Sequence, residues 1–192
     1  MILNAKSREF KLWAAEKEAN IPSNIDDLKI NIKDINDVKS NEISNIKAQI
    51  QRYNCCIYNS SSELISKVHL VNFAQSIGMM TYDTNNIDND AVCSITRNKI
   101  NDKRGYIPYT DKALNWHTDG YYDKKPIYSW LLHCVAPAEE GGENRLLDHE
   151  LVIRQYVLKH DDIDLLEREN AFTIPGNKDA GRLDTTSYVC SS

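Results

Sequence analysis

A chain of 192 residues that is 41% hydrophobic and 27% charged has the size and composition of one globular domain, or part of one, with enough apolar residues for a core. Its formal net charge of -5 and pI near 5.5 exclude the sequence-wide positive field that draws proteins to nucleic acid or anionic lipid, so a small molecule or another protein is the expected partner. No run approaches the roughly 18 uninterrupted apolar residues of a membrane span, Met1-Ile2-Leu3-Asn4 lacks a signal peptide's apolar stretch, and the five cysteines, Cys55, Cys56, Cys93, Cys134 and Cys190, have no Cys-x-x-Cys spacing and read as reduced thiols of a cytoplasmic protein.

Along the chain, Phe10, Trp13 and Ala14 recur at helical spacing and predict an amphipathic helix over Lys6 to Ala19, ended by Ile21-Pro22. Asn24 to Val38 reads as loop plus a weak strand. Ile43, Ile46 and Ile50 mark a second helix, and Cys55-Cys56-Ile57-Tyr58 is a short apolar run typical of a buried strand. Ser60 and Glu63 have the spacing of a capping box, in which each side chain satisfies a backbone N-H freed at a helix start. The helix that follows is expected to turn Leu64, Val68 and Phe73 inward and to close near Gly78. His69 falls within it and, lacking a partner in the pattern, is read as a packed or exposed histidine.

After the Asn/Asp-rich turn at Asp83 to Asp90, short β-like runs follow at Ala91 to Thr96, Tyr106 to Tyr109, Ala113 to His117, Ile127 to Val135 and Arg145 to Leu147, predicting an antiparallel sandwich or barrel. A helical interval from Asp148 to Asn170 and a strand from Ala171 to Pro175 complete the pattern.

The chemistry is expected on that sheet, at Asn115-Trp116-His117-Thr118-Asp119-Gly120. On a strand, residues two apart project from the same face about 6.6 to 6.8 Å apart, so His117 and Asp119 can converge on one ion while Thr118 turns away. An imidazole and a carboxylate, with one more histidine and open positions, form the facial triad of non-haem Fe(II) oxygenases. Alone, His-x-Asp is more often just a hydrogen-bonded polar pair; here an apolar strand and then Glu140-Gly141-Gly142-Glu143-Asn144 follow it.

This order resembles the taurine dioxygenase-like (TauD/TfdA) family, whose first-half signature runs Asn-Trp-His-Thr-Asp, an apolar strand, then Gly-Gly-x-Thr. Asn115 to Asp119 reproduces the first part residue for residue, Leu132-His133-Cys134 is similar to the γ-butyrobetaine hydroxylase branch, and the match is best over residues 90–175. The resemblance implies a mainly β domain with flanking helices, a double-stranded β-helix or jelly roll. It also implies Fe(II) held by His117 and Asp119, with 2-oxoglutarate as cosubstrate, converted with O2 to succinate and CO2 as a small molecule is oxidised. In many relatives the position of Asn144 is a threonine that helps hold a carboxylate of 2-oxoglutarate. An Asn amide can donate there, while the alternative is that Gly141-Gly142 makes a tight turn and Asn144 merely begins a strand. Tyr121-Tyr122 would line the substrate entrance or cover a sheet edge.

The resemblance also places a third ligand, a histidine, and a 2-oxoglutarate-binding arginine on late strands. No histidine follows His160. Residues 1–192 are therefore expected to be a single domain of this family lacking its C-terminal part and inactive alone: a fragment, a frameshifted gene product, or a subunit completed by another chain or by oligomerisation. His133 lies in a core-like run, and His149 and His160 belong to the helical interval, so none is the expected substitute. A non-catalytic remnant or interaction protein and, less well supported, a zinc hydrolase using His117 and Asp119 are the competing readings.

Overall fold

The computed structural model describes residues 4–61, 65–82, 91–96, 107–120, 127–176, 183–187 and 189. They form two compact units, residues 1–28, 49–56 and 138–192 in one and residues 29–48 and 57–137 in the other.

In the first unit Ser7 caps α1 (Arg8–Ala19) by accepting the Phe10 N-H at 3.0 Å, which satisfies one of the donors a helix start leaves free. The 3.6-residue period buries Phe10 and Ala14, as expected. They pack with Val157 and Ile163, flanked by Ala5, Trp13, Ile153 and Tyr156. Val157 comes from α4 (His149–His160), capped by Asp148 through the Glu150 N-H at 2.9 Å. The helical interval is shorter than expected. Asp161 takes a left-handed conformation at φ 72° and its N-H bonds the Val157 carbonyl at 2.8 Å, which stops the helix. Polar contacts join the same two helices: Lys17 pairs with Glu150, and Arg154 donates to the Ala14 carbonyl at 3.1 Å and pairs with Glu18. The expected strand at Ala171 to Pro175 forms as β3 (Phe172–Ile174), paired antiparallel with β4 (Thr185–Ser187).

In the second unit the weak strand forms as β1 (Lys29–Ile32) and pairs in parallel with β2 (Ile57–Ser60). A parallel pair needs a crossover, and α2 (Ser40–Tyr53) lies in that connection. Of its three marker isoleucines, Ile46 is buried and Ile50 is exposed. Glu42 accepts the backbone N-H groups of Lys33 and Lys39, each at 2.8 Å, and these two bonds hold its carboxyl below the usual range.

α3 (Lys67–Ser76) starts six residues later than the Ser60 capping box implied. Ser60 ends β2, Glu63 lies outside the described residues, and the box is built by Ser66 and His69. Phe73 is buried as expected, but Val68 is 65% exposed: five residues apart at 3.6 residues per turn, the two point about 140° apart, so a helix that buries Phe73 turns Val68 outward. Gly78, at φ +108°, closes the segment.

The mainly β expectation is not met among the described residues, which hold two two-stranded sheets. Ile107–Tyr109 is a 3-10 turn, and residues 91–96, 113–117, 127–135 and 145–147 have no ladder partner among the described residues. An apolar run supplies one side of a strand, but pairing needs a neighbour of matching register. Tyr128, Trp130, Leu132 and Val135 are all exposed. The turn at Asp83 to Asp90 lies outside the described residues.

Candidate functional site

The His-x-Asp segment does not lie on a strand. It occupies a bend and turn ending at Gly120, whose φ of +67° is one that residues with a side chain rarely adopt. This turn brings the pair together: His117 Nε2 lies 3.3 Å from Asp119 Oδ1, with both side chains partly exposed. His117 Nδ1 lies 2.8 Å from the backbone carbonyl of Asn115. A carbonyl only accepts, so Nδ1 carries hydrogen and donates to it. In the neutral imidazole Nε2 then keeps its lone pair, the form and the backing partner of a metal-ligating histidine.

As donors these two groups fit two positions of an iron site, an imidazole nitrogen and a carboxylate oxygen converging on one side. No group of three His, Cys, Asp or Glu side chains suited to a metal occurs among the described residues.

The remaining histidines are engaged as helix or packing residues. His133 Nδ1 lies 2.8 Å from the Tyr58 hydroxyl, and the two rings stack with centroids 6.0 Å apart. Tyr58 also meets Phe73 edge-on at 5.1 Å, and burial pushes its phenol up to about 12. His149 opens α4 and His160 closes it, the latter over the Tyr156 ring at 4.4 Å. Asn144 is exposed in a stretch without regular structure, so it does not begin a strand. Gly141 and Gly142 do take the positive φ expected of turn formers, +74° and +80°. At Gly142 an added Cβ would also stand 3.3 Å from that of Ala138. Tyr121 and Tyr122 lie outside the described residues.

Sequence reasoning missed the Asn115 carbonyl, which carries no side-chain signal, and the Tyr58–His133 pair, whose members are 75 residues apart. Cys55, Cys56, Cys93 and Cys134 are free thiols. Burial pushes Cys56 up to about 11, helped by Cys55. No helix of the described residues is long and apolar enough to cross a membrane.

The sequence model of the taurine catabolism dioxygenase TauD, TfdA family matches residues 20–177, and the chain belongs to that family, which implies a jelly-roll fold. The match begins well upstream of residue 90.

Among individual proteins, a uridine-5'-phosphate dioxygenase from Streptomyces sp is 34% identical over 95 residues, covering 46% of this chain and 34% of that protein. The alignment thus spans about a third of that relative's length. No solved structure matches the chain.

Proposed function

We propose that this chain supplies the first half of an Fe(II) and 2-oxoglutarate dependent dioxygenase site, with His117 and Asp119 as two of its protein ligands. The observation that carries the reading is the 3.3 Å approach of Nε2 to Oδ1 with Nδ1 turned to the Asn115 carbonyl, in a chain of this family. When bound, the iron and 2-oxoglutarate would supply the oxidising power, with succinate and CO2 as co-products. The protein's own part is to hold, orient and shield. His117 and Asp119 would hold the metal on one side, leaving positions for cosubstrate and O2. The Asn115 carbonyl keeps the imidazole in the ligating tautomer. Asn144, through its amide NH2, would donate to a carboxylate of 2-oxoglutarate.

The substrate in this reading is a small molecule. Uridine-5'-phosphate is the first compound to try, on the strength of the relative that bears its name. The test is iron binding, under anaerobic conditions, by a complete version of the protein and by its His117→Ala and Asp119→Ala variants. Each substitution is expected to lower bound Fe(II) and to abolish the absorption that appears when 2-oxoglutarate joins protein-bound iron. Unchanged iron content in both variants would remove the site assignment.

A further inference from the structure

α3 begins with a reciprocal cap whose second member is a histidine. The His69 N-H donates to Ser66 Oγ at 3.3 Å, and the Ser66 N-H donates to His69 Nδ1 at 3.2 Å. In the usual capping box that second acceptor is a Glu or Gln oxygen, which still accepts at mildly acidic pH. An imidazole nitrogen accepts only while it lacks a proton, and histidine is the side chain whose charge ordinarily changes between about pH 5 and 8. Protonation at Nδ1 therefore removes one of the two cap bonds. It also sets a positive charge at the end of a helix whose dipole already points its positive end there.

Among the described residues the surroundings offer the imidazolium little compensation. The first turn of α3 has no acidic residue, and no described carboxylate forms an ion pair with His69. The neighbouring cation, Lys67, reaches the Val92 carbonyl at 3.3 Å. The first turn leads directly to Phe73, which is buried and packs on Tyr58 of β2, so loosening the start of α3 bears on a core contact.

We propose that the Ser66–His69 box is a pH-sensitive cap: α3 starts at Lys67 with both cap bonds while His69 is neutral and frays in its first turn when His69 is protonated. The inference is independent of the metal reading, since it concerns neither His117 nor Asp119.

The experiment is amide hydrogen exchange of the 192-residue chain at about pH 8 and about pH 5, corrected for the intrinsic pH dependence of exchange, beside His69→Gln. Gln at this position accepts the same bond without titrating. In the unsubstituted chain, protection of the first-turn amides of α3 is expected to fall about fivefold at the lower pH, the equivalent of the ~1 kcal/mol typical of a lost cap. In His69→Gln it should stay level. A flat profile in the unsubstituted chain, or an equal fall in both proteins, would overturn the proposal. Imidazole nitrogen shifts give a second measurement that needs no variant: His69 must carry its proton on Nε2 at the higher pH, and a proton on Nδ1 there would also sink the idea.

Discussion

His117 donates through Nδ1 to a backbone carbonyl and turns Nε2 toward a carboxylate, so the information that makes this residue a ligand candidate is divided between its side chain and its neighbours' backbone. Asn144 illustrates the opposite case. Its role is proposed from its place after Gly141-Gly142, and its own exposed side chain carries no mark of it. If it holds 2-oxoglutarate, Asn144→Ala should weaken cosubstrate binding more than iron binding, by about 1.5 to 3 kcal/mol for one hydrogen bond to a charged group. Equal 2-oxoglutarate titrations of iron-loaded parent and variant would discard the role. The thiols give a separate check. Burial raises Cys55, and raises Cys56 to about 11, whereas Cys93 and Cys134 are exposed. Since the thiolate is the reactive form, iodoacetamide should label Cys93 and Cys134 well before Cys55 and Cys56, as read by peptide mass spectrometry. Early labelling of Cys56 would contradict the described packing.

At the scale of elements, a helix's end is less legible in the sequence than its body. The apolar period located α1 through Phe10 and Ala14 because burial follows that period directly. The capping-box spacing points to the wrong start for α3 because Ser60 and Ser66 both offer a hydroxyl three residues before a possible acceptor, and pairing of β2 with β1 takes Ser60 into the strand. The α1 and α4 contact is open to two measurements. Phe10 is fully buried against Val157, so Phe10→Ala should cost about 3 to 5 kcal/mol in denaturant unfolding. A loss below ~1 kcal/mol would show that the site is not a packed core. Across the same helices, burial pushes the Glu150 carboxyl up, but hydrogen bonds from Lys17 and Asn54 and the Lys17 charge outweigh it and hold the group below its usual range. A carboxyl lowered in the folded state stabilises above its unfolded value and loses that contribution as pH falls through the folded one. Glu150→Gln should therefore flatten the acid side of the stability profile while lowering stability near neutrality. An unchanged acid slope would show that the pairing with Lys17 contributes nothing.

For the whole molecule, the facial-triad reading asks for three protein ligands, and residues 1–192 offer His117 and Asp119 with no described third partner. Purified alone, the 192-residue chain should bind Fe(II) weakly and release little succinate from 2-oxoglutarate. Strong iron-to-oxoglutarate absorption with robust succinate release, and no added partner, would require a third ligand within the chain and would overturn the expectation.

The amino-acid sequence by itself determined the family, through Asn115 to Asp119 and Gly141-Gly142, and the positions of α1, α2 and β3. These are local matters, since a motif is a string of neighbours and an amphipathic period is written along one segment. Tertiary structure alone decided that β1 and β2 pair in parallel, that the apolar run at 127–135 finds no ladder partner among the described residues, and that Tyr58 meets His133 across 75 positions. Pairing and register depend on which distant segment arrives alongside, and no residue's own identity specifies its neighbour.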